Sequence, residues 1–325
     1  MHGGVDYMKY LIIGGCGFIG SHITKRLYMQ ENIAEIIVFD NFSSGKLKYL
    51  NGIEIDKRVK VIKGDIKDID TLMDAMDGVD IVYSVASNPD IAKAINQPDI
   101  DFWEGTYLIN NVLEAMRRKN IKKLMYASGS GVYGDVGTTV TGEDFSPMLP
   151  NSTYGASKLA CEALICAYCN MFDMSAAAFR FANVVGPNQT HGVGYDFINK
   201  LIDNPNKLRI LGNGTQSKSY IYIEDIVDAL RTVEKNALDG YNYYNVATTD
   251  HITVTEIANI VVNIMGLDGV EYQYTGGDRG WKGDVPVVRL LSDKIRKLGW
   301  KNKYSTEEAI RMSVTSMYEE RENRK

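Results

Sequence analysis

Tyr154 and Lys158 stand four residues apart in the stretch Ser152-Thr-Tyr-Gly-Ala-Ser-Lys158, inside a run that reads as a helix over 152–172. That spacing is close to one helical turn, so the two side chains share a face. A phenol beside an ammonium is a candidate general base. A free phenol ionises near pH ~10, so holding a phenolate at pH 7 costs about 4 kcal/mol. A neighbouring cation in a shielded site offsets much of that. The pair recurs by chance in many proteins, so its weight depends on what surrounds it.

The surroundings begin at Met8–His22, MKYLIIGGCGFIGSH, where a short apolar strand, Tyr10–Ile13, runs into a glycine-rich turn and a helix. Gly15-x-Gly17-x-x-Gly20 fits a dinucleotide fingerprint, and Gly14-x-x-Gly17-x-x-Gly20 is a second reading of the same turn. One glycine turns the chain, one lets a pyrophosphate touch backbone, and one lets helix and strand pack closely. The helix start then offers N–H groups to the phosphates. Ala34–Asp40 is a second apolar run, and its terminal carboxylate lies 20 residues past Gly20, where a ribose-binding acid belongs. An acid there accepts from both ribose hydroxyls and repels a 2′-phosphate, so NAD is expected over NADP. With a nicotinamide at hand, a Tyr154 phenolate could take a proton from a sugar hydroxyl as hydride leaves for the cofactor.

These residues need a frame, and the apolar runs supply one. Strands are expected at Val59–Ile62, Val79–Ala86, Lys123–Ser128 and Ser175–Phe181, with helices at Ile69–Met76, 100–118 and 152–172. The fold expected is α/β: a doubly wound parallel sheet with helices on both faces and a smaller C-terminal substrate-binding lobe. The dinucleotide-binding domain is expected over 8–186, with 220–250 returning to it, and the lobe over 187–219 and 251–318. Within the lobe, Thr253-Val-Thr-Glu256 reads as a capping box. The segment 319–325 is expected to fray, and residues 1–7 read as an extension before Met8.

The chain has 325 residues, 45% hydrophobic and 24% charged, as expected of a soluble globular protein. A net charge of -5 argues against nucleic-acid or anionic-membrane partners. No transmembrane run or signal peptide is read, and four cysteines in a chain this long suit the cytoplasm. Cys166-x-x-Cys169 lacks a second pair, so Cys16, Cys161, Cys166 and Cys169 are read as small hydrophobes and no metal is expected.

At this point the chain resembles the NAD-dependent epimerase/dehydratase family of extended short-chain dehydrogenases/reductases, whose members act on nucleotide sugars. The segments that carry the resemblance are GGCGFIGSH (14–22), DNFSSG (40–45), GDI (64–66), YASGSGVYG (126–134), YGASK (154–158), RFANVVGP (180–187), GNGTQSKSYIYIED (212–225) and GDRGWKGD (277–284). The resemblance implies a Rossmann fold and roles for individual residues. Gly14, Gly17, Phe18, Ile19, Gly20, Asp40, Asn41, Ser43, Ser44, Gly45, Asp65, Ile66, Ala86, Ser87 and Phe181 would hold the cofactor, Asp65 and Ile66 flanking the adenine. Tyr154 would be the acid/base and Lys158 would hold the nicotinamide ribose. Asn88, Gly129, Asn183, Lys218 and Arg279 would face the substrate, Arg279 pairing with its diphosphate.

Three departures matter. The family's Ser or Thr donor to the reacting oxygen is Gly129 here, flanked by Ser128 and Ser130. Strand alternation would turn both serines to the opposite face, unless the neighbouring glycines permit a bulge. One well-placed donor is worth ~10²-fold or more in rate. The usual Arg-Asp after the glycine turn is Lys218-Ser219, and the final arginine motif reads Arg-Gly-Trp-Lys-Gly-Asp. The family's dehydratases and decarboxylases carry acids at the positions of Ser130 and Gly131, which are absent. Oxidation at carbon 4 of a nucleotide-diphosphate sugar remains, ending in 4-epimerisation or in release of a 4-keto sugar as a 4-dehydrogenase. A non-catalytic NAD-binding protein is a further alternative. The helix over 152–172 is apolar nearly all round, and a homodimer is expected through it and the helix over 100–119.

Overall fold

The computed structural model describes residues 7–88, 91–236, 238–281 and 283–322. Residues 1–6 of the expected extension and 323–325 of the expected tail lie outside them. Strands and helices alternate as β1 (Met8–Ile13), α1 (Phe18–Tyr28), β2 (Ile33–Asp40), β3 (Val59–Lys63), α2 (Ile69–Ala75), β4 (Ile81–Ser84), α3 (Tyr107–Arg118), β5 (Lys123–Gly129), α4 (Thr153–Phe172) and β6 (Ser175–Phe181). Beyond them come β7 (Asn183–Val185), α5 (Val193–Asp203), β8 (Lys207–Ile210), β9 (Ser217–Lys218), β10 (Tyr220–Tyr222) and α6 (Ile223–Asn236). The chain ends with β11 (Tyr241–Val246), β12 (Ile252–Thr253), α7 (Val254–Ile264), β13 (Glu271–Tyr274), β14 (Val287–Val288), α8 (Asp293–Arg296) and α9 (Thr306–Glu322).

A seven-stranded sheet runs β11-β6-β5-β4-β1-β2-β3. β1 pairs in parallel with both β2 and β4, and the pairing continues in parallel to β3 and β5. Strand order reverses between β1 and β4, the place where open α/β sheets bind ligands beyond their carboxyl ends. Leu11, Ile12 and Ile13 are fully buried, as a strand covered on both faces requires. This is the Rossmann-like architecture expected.

The chain forms two compact units. The first takes the chain to Ser128, then Ser157–Phe179 and Leu230–Tyr243. Its core joins Leu11, Ile13, Val82 and Leu124 to Val112, Leu113 and Met116 of α3 and Ile165 of α4, and Cys161 and Cys169 pack in it as small hydrophobes. The second takes Gly129–Ala156, Arg180–Ala229 and the chain from Tyr244. It holds the smaller sheets β10-β7, β12-β9-β14 and β13-β8. The capping box forms there as expected, with Thr253 and Glu256 each satisfying the other's backbone N–H. No helix among the described residues is long and apolar enough to cross a membrane.

Two elements differ from the sequence reading. The helix expected over 100–118 is interrupted by a π turn, Phe102–Thr106, before α3. Ser157 of α4 packs against that turn: its Oγ donates to the Asp101 carbonyl at 2.6 Å and lies 2.9 Å from the Thr106 hydroxyl. A side chain inserting beside a helix in this way is a recognised cause of a local break in its α-helical ladder. The C-terminal end is helical through Glu322, most of the way along the segment expected to fray. Ser305 and Glu308 cap α9 reciprocally, a Ser-x-x-Glu signature that was present in the sequence.

In the first unit, Arg231 and Glu234 form a buried ion pair one turn apart on α6. Glu234 also accepts from the Tyr10 hydroxyl at 2.8 Å and from the Tyr83 hydroxyl, and Arg231 donates to Gln30 at 2.7 Å. Burial, then the Glu234 charge, pushes the Tyr10 phenol up to about 12. Glu234→Ala leaves a buried guanidinium without its partner. It should lower the unfolding free energy by about 3–5 kcal/mol, read from urea midpoints, while Arg231→Met combined with Glu234→Leu recovers most of the loss.

Candidate active site

The glycine turn of the first unit fits a nucleotide on two counts. Gly14 has φ +80°, and a Cβ on it would sit 2.9 Å from the Ala86 nitrogen. A Cβ on Gly20 would fall 2.1 Å from the Gly14 carbonyl oxygen, so β1 and α1 meet too closely for any side chain. α1 starts at Phe18 with no side-chain cap, leaving its first N–H groups to a ligand. Gly14 thereby brings the turn against Ala86, another residue expected at the cofactor.

Asp40 ends β2 and is nearly buried. Its Oδ2 accepts from the Cys16 N–H at 2.9 Å and its Oδ1 from the Phe42 N–H at 2.8 Å. The carboxylate is thus aimed by the glycine turn on one side and by the Asn41–Gly45 loop on the other. Lys46 N–H closes that loop onto the Cys16 carbonyl at 2.9 Å. Ser43 and Ser44 are exposed on it. Asp65 accepts from the Lys67 N–H at 2.9 Å, and the carbonyl of Ile66 is fixed by Asn111 at 3.1 Å. Ser87 follows β4, and the next residue, Asn88, donates to buried Asp101 at 3.1 Å.

Lys158 is 5% exposed, and its ammonium donates to the Ala127 carbonyl at 2.7 Å and lies 5.0 Å from the Tyr126 ring centre. One turn further along α4, buried Glu162 accepts from Ser128 Oγ at 2.6 Å and from the Tyr241 hydroxyl at 3.4 Å. The Ser128 hydroxyl is therefore held on a buried carboxylate. Glu162 was not singled out in the sequence, although its place four residues after Lys158 put it on the same helix face.

In the second unit, Gly129 leads into a 3-10 turn, Ser130–Tyr133, and Ser130 opens it half-buried. Tyr133 anchors the turn: its hydroxyl donates to Asn245 at 2.7 Å and accepts from Arg180 at 2.8 Å. Gly131 faces the start of α4, and a Cβ on it would lie 4.0 Å from Tyr154 Cδ1. Tyr154 is half-buried. Phe181 ends β6 buried.

Three residues expected at the substrate gather in this unit. Arg279 donates to Asp135 at 2.6 Å and to the Asp284 carbonyl at 2.8 Å, and Lys218 donates to the Asp284 carboxylate at 2.6 Å. Asn183 donates to the carbonyl of Ser219, the residue after Lys218, at 3.2 Å. Asp284 thus joins the two cations whose motifs departed from the family pattern. Asp135 and Asp284 were not nominated from sequence, and both stood at the ends of quoted segments or just beyond them.

Residues 10–247 match the family model described as the NAD dependent epimerase/dehydratase family. The UDP-glucose 4-epimerase of Mycolicibacterium smegmatis is 28% identical over 315 residues, covering 94% of this chain and 97% of that protein. A crystal structure described as UDP-galactose 4-epimerase is 34% identical, with 96% of this chain and 99% of that chain covered and a TM-score of 0.85. The Thermus thermophilus UDP-glucose 4-epimerase, solved with NAD, is 27% identical, with 95% and 98% covered and a TM-score of 0.83.

Replacing the aimed carboxylate at position 40 tests the cradle. Asp40→Asn removes the charge but keeps an acceptor for one loop N–H. NAD affinity by calorimetry should fall about 10- to 100-fold, the worth of a charged hydrogen bond, and discrimination against NADP should narrow.

Proposed function

We propose that this chain, which belongs to the NAD dependent epimerase/dehydratase family, is a nucleotide-sugar 4-epimerase acting from the cytoplasm. The observation that carries this reading is the Tyr154–Lys158 pair on α4, with the Lys158 ammonium fixed on the Ala127 carbonyl, in a chain whose glycine turn and Asp40 fit a dinucleotide. When bound, NAD supplies an acceptor and donor of hydride. In this reading the amides of Phe18, Ile19 and Gly20 take its pyrophosphate and Asp40 its adenosine ribose. Lys158 takes the nicotinamide ribose one helical turn from Tyr154. The Tyr154 oxygen then removes the proton of the sugar's 4-hydroxyl and later returns it. With Ser128 engaged by Glu162, Ser130 is the hydroxyl assigned to the reacting oxygen. Lys218, Arg279 and Asn183 are assigned to the diphosphate region, where a guanidinium and an ammonium suit phosphate oxygens. Family dehydratases need an acid pair where Ser130 and Gly131 stand, which supports epimerisation over dehydration.

One observation favours a second reading. Gly129 carries no side-chain donor where the family has one; were Ser130 not to take that role, the keto sugar would be held less firmly, and its release with reduced cofactor would make the protein a 4-dehydrogenase. Incubation with UDP-, dTDP- and GDP-sugars, read by NMR, mass spectrometry and reduced-nicotinamide absorbance, separates the two. A product of unchanged mass with inverted carbon 4 supports the epimerase. A product two hydrogens lighter with reduced cofactor accumulating supports the dehydrogenase. In either case Tyr154→Phe should lower kcat by about 10²- to 10⁴-fold, and unchanged turnover would refute the assignment.

We further propose a homodimer through α3 and α4. Ala163, Ala167 and Met171 are exposed on α4, where a close-packed partner helix fits. Leu164 and Tyr168 are partly buried against the core of the first unit, and the Tyr168 hydroxyl donates to Glu114 of α3 at 2.7 Å, so Ala163, Ala167 and Met171 are the apolar side chains of α4 left exposed over 163–171. Ala163→Glu with Ala167→Glu should give monomers in light scattering; a persistent dimer would count against this interface.

A further inference from the structure

Both cations assigned to the diphosphate are already paired with carboxylates, and the two pairs are not alike. Lys218 donates to Asp284 at 2.6 Å, with the side chains 19% and 11% exposed. The other oxygen of Asp284 takes the Gly280 N–H at 2.9 Å, so this carboxylate also shapes the backbone beside Arg279. Asp284 therefore belongs to the frame of the second unit. Arg279 and Asp135 lie nearer the surface, 38% and 26% exposed, and meet at 2.6 Å. An ion pair in that setting is weak, because solvent screens it and ordering two side chains offsets much of the attraction.

The partners of this second pair differ in how firmly they are held. Asp135 stands on a fixed turn, where its other oxygen takes the Gly137 N–H at 3.0 Å. Gly134 before it has φ +74°, and a Cβ there would lie 1.9 Å from the Leu149 carbonyl oxygen. Tyr133 is pinned between Arg180 and Asn245. Arg279 has a long side chain on an irregular segment, and its second terminal nitrogen donates to the Asp284 carbonyl at 2.8 Å. A guanidinium carries five N–H donors, so three are left for another acceptor. A phosphate group takes two parallel N–H bonds from such a cation, which outmatch one contact to a screened carboxylate. The cation can therefore turn to a phosphate while the carboxylate stays where it is.

We propose that Asp135 is a positioning residue that sets the affinity for the diphosphate: it holds Arg279 until a nucleoside diphosphate takes the guanidinium, and each binding event breaks the Arg279–Asp135 pair. Asp135 thereby weakens the grip on substrate and shortens the hold on product. This inference rests on the nucleotide-sugar reading above, in which Arg279 meets the diphosphate.

The test is calorimetry with UDP, dTDP and GDP, each beside its nucleoside, on the wild type, Asp135→Asn and Asp135→Ala. Asparagine removes the charge and keeps an oxygen for the Gly137 N–H. Alanine removes both, and melting temperature reports whether the turn survives. For the diphosphate that the wild type binds, both variants should bind about two- to fivefold more tightly, the worth of a partly exposed ion pair that no longer has to break. Affinity for the nucleoside should not change, whereas a variant with a damaged fold would lose affinity for both. With a nucleotide sugar that turns over, KM should fall by the same factor without a rise in kcat, because the diphosphate is held alike before and during the chemical step. A crystal structure of the wild type with the diphosphate should show Arg279 on phosphate oxygens and more than about 4 Å from Asp135. Variants that bind the diphosphate no better than the wild type, or that gain equally for the nucleoside, would overturn the proposal, as would a complex in which Arg279 stays on Asp135. A wild type that binds none of the three diphosphates would instead refute the nucleotide-sugar reading itself.

Discussion

Two side chains one turn apart on α4 hold the last residues of β5, and the candidate chemistry depends on that grip. Lys158 donates to the Ala127 carbonyl and Glu162 accepts from the Ser128 hydroxyl. Both charges are buried, so each needs its polar partner; an ammonium or carboxylate left unpaired there would cost several kcal/mol. The consequence is positional. Lys158 cannot drift without losing its carbonyl, and Tyr154 sits one turn before it on the same helix. The π turn before α3 belongs to the same arrangement, because Ser157 bonds to its carbonyl and to Thr106. α4 is therefore located by contacts on consecutive residues, which fixes its rotation about its own axis as well as its depth.

The glycine turn achieves its geometry by exclusion. Gly14 and Gly20 leave no volume for a side chain, so β1, α1 and Ala86 beyond β4 approach closely about the turn. Asp40 then closes the turn from the side of β2, with two backbone N–H groups on its oxygens. A carboxylate bonded in this way is oriented before any ligand arrives, which lowers the entropy lost on binding.

The second unit handles charge differently. Lys218, Arg279, Asp135 and Asp284 form a chain of ion pairs in which each cation already has a carboxylate or carbonyl partner. Such a cluster holds long side chains in place, its two cations balanced by two carboxylates. Asp284 is the junction: one oxygen takes Lys218 and the other the Gly280 N–H, which bends the segment so that Arg279 returns toward Asp135. The two departures from the family pattern, Lys218 for arginine and the lengthened arginine motif, meet at this single carboxylate.

Much of this was legible in the chain itself. Alternating apolar runs specified a buried parallel sheet, because strands covered on both faces must be apolar throughout. The spacing of Gly14, Gly17 and Gly20 specified the turn, because backbone sterics act over a few residues. The i, i+4 relation of Tyr154 and Lys158 followed from the helical repeat alone, as did the capping box at Thr253. α9 went unread, although Ser305 and Glu308 carried its capping signature. What the sequence did not decide were matters set by residues far apart in the chain. Ser128 and Ser130 look equivalent as neighbours of Gly129, yet Glu162, 34 residues away from Ser128, takes one hydroxyl and leaves the other in a separate turn. The pairing of Arg279 with Asp135 spans 144 residues, and no local rule could name it. Local periodicity and steric limits are written into short stretches of sequence; the choice of a partner across the fold is made by packing, and only the tertiary structure records it.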